Sequence, residues 1–238
     1  MKNKKSHSRR KFIKQGTTAL AGFYIVPRHV LGRGFTAPSD QLNLAAIGAG
    51  GKGRGDIINS WNNGINRVVA LADPDSKNAK RTVDQFPEAK VYKDFRFMLS
   101  EMKRDIDAVT IAAPDHIHGV AAQMAMDMGM HVYVQKPLTH NIYEARQLTL
   151  AARKNKVVTQ MGNQGASHPG RVQMMNWFDE GLIGTVSEVH VWTNRPVWPQ
   201  GIPVPKAEAL PEHMTERDWD LWIGPCLLYT SPSPRDRG

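Results

Sequence analysis

The sequence predicts a doubly wound α/β fold, in which a parallel sheet is covered by helices on both faces. Three observations support this prediction. Short apolar runs that suit buried strands occur repeatedly between residues 43 and 161. They alternate with longer stretches that suit helices, as in strands joined by crossover helices. A glycine-rich loop at residues 48–53 separates the first apolar run from the first helical stretch.

The predicted elements follow one another in a regular order. Strands are predicted at residues 44–47, 68–72, 108–113, 131–134 and 156–161. Helices are predicted between them at residues 55–62, 77–86, 120–128 and 142–154. Because strand and helix alternate, we expect parallel strands and one continuous domain at residues 39–160.

A second domain is predicted to begin after residue 160, because the composition changes there. Five of the six tryptophans lie beyond this point, where Gly and Pro are also frequent. Residues 186–193 alternate apolar and polar side chains, as a strand with one buried face does. We expect residues 161–225 to form the first part of an α/β domain with an open antiparallel sheet, since they are too few for a complete one.

The positive charge of the chain is concentrated at its N-terminus. The net charge is +9, but residues 1–38 contain nine Lys or Arg and no acidic residue, so the remainder is neutral. A neutral body argues against a nucleic-acid partner, which requires clustered basic residues on a folded face.

Residues 1–38 are predicted to be an export leader and linker. Arg9, Arg10 and Phe12 precede an apolar run at residues 17–26, which is shorter than the ~20 residues of a membrane span. This arrangement resembles the bacterial twin-arginine signal, which implies the export machinery as a partner and a periplasmic location. A disordered basic tail is the alternative.

The other end of the chain differs in character from the rest. Cys226 is the only cysteine, so no intramolecular disulfide can form. Residues 226–238 are rich in Ser, Pro and Arg and resemble a translated sequencing adapter. We therefore expect natural sequence to stop near Pro225, with a disordered terminus as the alternative.

The loop after the first strand carries the strongest motif. Residues 48–53 read Gly-Ala-Gly-Gly-Lys-Gly and fit G-x-G-x-x-G between a strand and a helix. Gly48 would permit the tight turn, Gly50 and Gly51 the approach of a pyrophosphate, and Gly53 close packing of helix on strand. The alternative is a flexible glycine loop. The context predicts a Rossmann-type dinucleotide site.

An acidic residue ends the second predicted strand. Asp73 follows Gly53 by twenty positions, where a carboxylate can accept hydrogen bonds from the adenosine ribose. An acid there disfavours a 2′-phosphate, so NAD is the predicted cofactor. NADP stays possible because Lys77 or Arg81 could pair with a phosphate.

The third motif leaves the next predicted strand at the edge where open α/β sheets bind ligands. It contains Pro114, His116 and His118. A histidine here can contact the cofactor or donate to a substrate, or it can begin a helix with its nitrogens satisfied by the backbone. No third ligand with suitable spacing is apparent, so we expect no metal site.

Gln135, Lys136 and Pro137 end the following strand at the same edge. A lysine held over a nicotinamide could orient a hydroxyl and assist its deprotonation. The alternative is a surface lysine that precedes a turn proline.

Together, residues 48–53, 114–118 and 135–137 resemble the Gfo/Idh/MocA family of oxidoreductases, in its exported branch. The resemblance extends over about residues 43–225 and includes residues 161–165 and 192–201. The family usually has Glu-Lys-Pro at the last motif, so Gln135 is a departure while Lys136 and Pro137 are retained.

The family resemblance implies hydride transfer between a sugar or polyol and the nicotinamide, with Lys136 placing the reacting hydroxyl. It implies a carbohydrate or polyol substrate and a homo-oligomer associated through the second domain. Gln164, His168 and Arg171 could reach the substrate, and Trp192 or Trp198 could stack on a sugar face. The acid/base Asp/His pair common in the family's second domain is not found, so the isolated chain is expected to be inactive.

Two other functions are consistent with the same residues. One is glycoside cleavage by transient oxidation, elimination and reduction on retained NAD, which some exported members of the family perform. The other is a dinucleotide-binding protein that has lost its chemistry, which the change to Gln135 would favour.

Overall fold

The computed structural model describes residues 40–193 and 210–226, and all of its elements belong to one unit that begins at Leu42. Its centre is a parallel sheet. The strands are β1 (Asn43–Ile47), β2 (Arg67–Ala72), β3 (Lys90–Tyr92), β4 (Ala108–Ile111), β5 (His131–Gln135) and β6 (Thr159–Gly162). Their order in the sheet is β3-β2-β1-β4-β5-β6, with every neighbouring pair parallel.

Helices connect the strands and continue beyond the sheet. They are α1 (Gly51–Trp61), α2 (Ser76–Gln85), α3 (Phe95–Glu101), α4 (Asp115–Asp127), α5 (Ile142–Asn155), α6 (Pro169–Asp179) and α7 (Glu216–Ile223). Short 3-10 turns lie at Asn62–Gly64 and Gln164–Ser167. The predicted doubly wound α/β fold is therefore confirmed.

Both faces of the sheet are buried, which explains why the strands are apolar at consecutive positions. In β1, Ala45 and Ile47 belong to the cluster packed under α4 and α5, whereas Leu44 and Ala46 belong to the cluster that includes Ile57 of α1. Successive side chains of a strand point to opposite faces, so one short strand contributes to both cores.

The order in which strands are added to the sheet reverses between β1 and β4, although all strands are parallel. From β1 the chain proceeds through β2 to β3 at one edge, and then returns to place β4 on the other side of β1. A crevice opens at the carboxyl ends of the strands at such a switch point, and ligands of open α/β sheets bind there. The loop at residues 48–53 leaves β1 at this position.

Several elements differ from the sequence prediction. The short β3 and the helices α3, α6 and α7 were not predicted, and α1 and α4 begin at Gly51 and Asp115, earlier than expected. The strand predicted at residues 186–193 is wrong, since these residues form no strand. A strand requires a backbone partner, and among the described residues none pairs with this segment.

Some predictions fall on residues outside the described ranges. These are the leader at residues 1–38, Trp198 and the tail from residue 227 onward. Within the described residues, no helix is both long enough and apolar enough to cross a bilayer.

Candidate functional site

A cavity of about 530 Å³ lies at the switch point of the sheet. Gly48, Gly50 and Gly51 line it from the loop after β1, Asp73 from the end of β2, and Pro114 from the end of β4. The structure thus brings together residues from three segments that are far apart in the sequence. The cavity has the position expected for the pyrophosphate and adenosine half of a dinucleotide.

The glycines of the loop allow close backbone packing. Gly48 adopts a φ of +79° and donates from its N–H to the carbonyl of Ala72 at 2.8 Å. A Cβ at Gly53 would collide with the carbonyl oxygen of Gly48, so α1 can approach β1 only when residue 53 is glycine. Gly53 therefore acts through packing and does not line the cavity.

The N-terminus of α1 has the features of an anion-binding site. Gly50 is the N-cap and supplies no side-chain cap, and the first turn contains no acidic residue. The first amides of a helix and its dipole attract a negative group. Gly51 has a φ of +47° and open space beside its Cα. The loop therefore fits a pyrophosphate.

Asp73 connects this loop to the end of β2. Its Oδ2 accepts from the Gly50 N–H at 3.0 Å, and its Oδ1 accepts from the Asp75 N–H at 2.9 Å. Burial raises the pKa of Asp73 above its ordinary value, although the bonds from the Asp75 and Gly50 amides oppose this change. A carboxylate has further lone pairs, which suit the ribose hydroxyls of NAD.

The basic residues proposed for a 2′-phosphate are not at the cavity. Lys77 and Arg81 are exposed on α2 and are not among its lining residues. Asn78 lines the cavity instead, and its side chain contacts Gly50. The position of Asp73 therefore favours NAD.

Residues after β3 also line the cavity, and the sequence did not predict them. Lys93, Asp94 and Arg96 follow this strand directly. Asp94 caps α3 by accepting from the Arg96 N–H at 2.8 Å, and it pairs with the Arg96 guanidinium at 2.7 Å. Burial disfavours its charge, but the bonds from Arg96 lower the pKa of Asp94 overall. A three-residue strand gave too little pattern to place them.

One wall of the cavity comes from α7 and the turn after it. Asp220, Leu221 and Trp222 line it, together with Gly224 and Pro225. The sequence did contain a local signal for this helix. Thr215 and Asp218 form a capping box, in which each side chain accepts a bond from the other residue's N–H.

The two histidines of the third motif bond to the backbone. His118 is 1% exposed, and its ring nitrogens lie 2.6 Å from the Pro137 carbonyl and 2.8 Å from the Ala113 carbonyl. Neither nitrogen is available to a cofactor, so the structure supports the alternative in which the backbone satisfies this residue. The Nε2 of His116 lies 3.0 Å from the Trp222 carbonyl, outside the cavity lining.

Gln135 is buried within a chain of polar side chains. Its Nε2 donates to Asp56 Oδ2 at 2.7 Å, and its Oε1 accepts from Gln164 Nε2 at 2.8 Å. Asp56 Oδ1 also accepts from Lys52 Nζ at 2.7 Å. Because an ionised carboxylate only accepts hydrogen bonds, Asp56 requires a donor, and an amide at position 135 provides one. Gln135 thus bonds to Asp56 and Gln164 and does not line the cavity.

Lys136 and Pro137 follow at the carboxyl end of β5. The peptide bond between them is cis, and the Lys136 side chain is exposed. Neither residue lines the cavity described above. β5 lies beside β4, so Lys136 is at the same edge of the sheet, displaced from Asp73 toward β6.

Gln164, His168 and Arg171, the predicted substrate residues among those that the structure describes, do not line the cavity at the switch point. Gln164 bonds to Gln135, as described, while the Nδ1 of His168 accepts from the Gly170 N–H and caps α6. Arg171 donates to the Ala166 carbonyl at 2.7 Å. In the described part of the chain, no three His, Cys, Asp or Glu side chains are grouped as a metal ion would need.

The fold and the glycine loop together define a dinucleotide-binding α/β protein. Residues 42–163, just over half of the chain, match the Gfo/Idh/MocA family, described as an oxidoreductase family with an NAD-binding Rossmann fold. The chain belongs to this family. The prediction of NAD as the cofactor is confirmed by this assignment.

Individual relatives agree with the family. An inositol 2-dehydrogenase from Salmonella paratyphi B is 30% identical over 125 residues, which are 52% of this chain and 37% of that protein. A dTDP-3,4-didehydro-2,6-dideoxy-alpha-D-glucose 3-reductase from Actinomadura kijaniata is 28% identical over 137 residues, 58% of this chain and 40% of that protein. The chain thus spans less than half the length of these relatives.

Solved structures show the same fold. The crystal structure of myo-inositol 2-dehydrogenase from Lactobacillus plantarum superimposes with a TM-score of 0.56 and 23% sequence identity. The match covers 61% of this chain and 43% of that one.

Replacing Gly53 with alanine should disrupt the cavity. The added methyl would collide with the Gly48 carbonyl, so we expect G53A to weaken NADH binding at least about tenfold and to lower stability by about 2 kcal/mol or more. Gly55 is a matched control on the same helix, with nothing within 4 Å of an added Cβ. We expect G55A to bind NADH normally. Equal binding by both variants, measured by fluorescence titration, would contradict this account of the loop.

Replacing Gln135 with glutamate should place two carboxylates side by side. We expect Q135E to lower the free energy of unfolding by about 3 kcal/mol, because Asp56 loses its amide donor and a second buried carboxylate lies beside it. D56N in the same chain supplies a donor to Glu at position 135, so the double variant should be more stable than Q135E. Urea unfolding of the two single variants and the double variant measures this coupling, and additive effects would exclude it.

Asp218 should make stability depend on pH in acid. Burial disfavours its charge, but hydrogen bonds from Lys93 and Thr215 prevail and lower the pKa from 3.8 to about 2. Its stabilising contribution is therefore present above pH 3.8 and is lost as the pH falls through about 2. The stability difference between wild type and D218N should shrink over this interval in urea unfolding. D84N, which removes the exposed Lys80–Asp84 pair, should have a small effect throughout. If the stability difference between wild type and D218N stays constant down to pH 2, the Lys93–Asp218 pair does not cause the pH dependence.

Proposed function

We propose that the protein is an NAD-dependent oxidoreductase that acts on a hydroxyl of a sugar or polyol. The observation that carries this proposal is the position of Lys136 at the sheet edge that also holds the dinucleotide cavity. The similarity to an inositol 2-dehydrogenase and to a deoxysugar 3-reductase supports the substrate class.

The glycine loop and Asp73 would hold NAD, whose nicotinamide would supply the hydride acceptor. The residues of this chain hold and prepare the reactants. Lys136 Nζ orients the reacting hydroxyl and assists removal of its proton. His118 and the hydrogen bonds of Gln135 help to position Lys136. His118 contacts the Pro137 carbonyl, and Gln135 directly precedes the lysine.

We also propose that residues 1–38 direct twin-arginine export to the periplasm, and that the complete protein forms a homo-oligomer. Support for the first part is Arg9-Arg10 before a short apolar run. Support for the second is the family alone. Gln164 is the predicted substrate residue with the most direct connection to the site, through its bond to Gln135.

Replacing Lys136 tests the chemistry separately from cofactor binding. In the complete gene product, assayed for NADH formation with a panel of polyols and sugars, we expect K136A to lower turnover by about 100-fold or more. NADH affinity should change by less than about threefold, because Lys136 lies outside the cavity that holds the adenosine half. Lys103 is exposed and distant from the motif, so K103A serves as the control.

Other outcomes distinguish the alternatives. Unchanged turnover in K136A would assign the proton transfer to another group. NADH binding with no turnover of any compound would favour the non-catalytic dinucleotide-binding protein. Cleavage of a glycoside without added NAD would favour the cycle of transient oxidation and reduction.

A further inference from the structure

One wall of the cavity is formed by residues that are distant in sequence from the glycine loop. We name residues 213–225 the C-terminal wall; it consists of α7 with the residues immediately before and after it. Asp220, Leu221 and Trp222 are its main contributions to the cavity lining. The sheet and its connecting helices supply the rest of the lining, so this wall is an addition to the Rossmann unit.

The first anchor of the C-terminal wall is an ion pair between the buried carboxylate of Asp218 and the half-exposed side chain of Lys93. Asp218 is 1% exposed, and its two carboxylate oxygens accept from Lys93 Nζ at 2.7 and 2.8 Å. Its Oδ2 also accepts from the N–H and the hydroxyl of Thr215, at 3.0 and 2.9 Å. Lys93 itself lines the cavity. The wall is thus attached to the residue that follows β3.

Two further anchors lie after the ends of β2 and β4. His213 Nε2 lies 3.0 Å from Asp75 Oδ1, in the turn that follows β2. His116 Nε2 lies 3.0 Å from the Trp222 carbonyl, at the start of the helix that follows β4. Gly224 has a φ of +56° and packs against the end of the Ile117 side chain, which would have to shift to admit a Cβ. The wall therefore spans the ends of β2, β3 and β4.

Trp222 presents an aromatic surface at this wall. It is 39% exposed and lines the cavity. It stacks on Trp219 with ring centroids 5.1 Å apart and planes 5° from parallel, and it meets the His116 ring edge-on at 5.7 Å. Its orientation is thus determined by neighbours before any ligand binds. Aromatic side chains on pre-organised walls bind nucleotides by stacking and apolar contact.

We propose that the C-terminal wall is part of the dinucleotide site, in which Trp222 covers the bound cofactor and the Lys93–Asp218 pair holds that cover in place. This proposal rests on the NAD binding that the proposed function requires, and it is independent of the chemistry of Lys136. Before the cofactor can leave, the C-terminal wall must separate from the ends of three strands. This requirement slows the release of NAD(H). The C-terminal wall thereby adds to the dinucleotide site residues that control how long the cofactor stays bound.

Release of NADH measures the effect of the wall directly. The protein is loaded with NADH and mixed rapidly with excess NAD+, and the loss of bound-NADH fluorescence gives the dissociation rate. We expect W222A to release NADH about tenfold faster, the loss expected for one stacked aromatic. W222F should stay within about threefold of wild type, because it retains an aromatic surface.

Matched controls separate the wall from general destabilisation. Trp177 on α6 is 44% exposed and does not line the cavity, so W177A should leave the rate unchanged. D218N removes the anchor and should also accelerate release, whereas D84N removes an exposed Lys–Asp pair elsewhere and should not. Circular dichroism of each variant verifies that it is folded. If D218N does not fold, the comparison of W222A with W222F and W177A decides the proposal.

A variant at Asp73 distinguishes the possible failures. If D73N leaves NADH binding unchanged, the cavity does not hold the cofactor, and the proposed function fails with the wall. If D73N weakens binding while W222A and D218N release NADH at the wild-type rate, the wall proposal alone is overturned. Faster release from W222A than from W177A, with D73N impaired, supports it.

Discussion

The contact between Gly53 and the Gly48 carbonyl is the constraint on which the site depends. It sets how closely α1 approaches β1, since any side chain at residue 53 would occupy the position of that oxygen. The close approach places the uncapped start of α1 beside the carboxyl end of β2, where the Asp73 carboxylate accepts from the Gly50 N–H at 3.0 Å. The positions suited to a pyrophosphate, at residues 48–51, and to a ribose, at Asp73, are thereby adjacent. Both positions depend on glycine at residue 53, because the Cβ of an alanine there would collide with the Gly48 carbonyl oxygen.

The departure at Gln135 has a physical explanation in the fold. In this chain the side chain meets Asp56, a buried carboxylate that already accepts from Lys52 and still requires a donor. A glutamate at position 135 would place a second charge beside it, at the cost that accompanies an unpaired buried ion. Glutamine satisfies Asp56 through its Nε2 and Gln164 through its Oε1. Glutamine at position 135 therefore keeps a connected polar network at the residue that precedes Lys136. The departure from the family's glutamate is by itself no reason to infer that the protein has lost its chemistry.

The cavity is formed by two parts of the chain, the strand ends of the sheet and the C-terminal wall. The ends of β1, β2 and β4 supply the glycines, Asp73 and Pro114, as in any open sheet with a switch point. The C-terminal wall adds an aromatic and acidic surface held by the pairs Lys93–Asp218 and His213–Asp75. These anchors lie at strand ends, where a few hydrogen bonds can orient a short helix. The wall illustrates how a common fold acquires specific properties through segments packed on its ligand edge.

The sequence by itself determined the alternation of strands and helices, the glycine loop and the acid at the end of β2. These features are local, because a strand, a tight turn and a helix start each depend on residues close together in the chain. Only the tertiary structure decided that His118 bonds to the Pro137 carbonyl, that Gln135 meets Asp56, and that Trp222 lines the cavity. It also showed that residues 186–193 form no strand despite their alternating pattern. Such outcomes depend on partners that folding brings from distant positions, and periodicity along the chain carries no information about them.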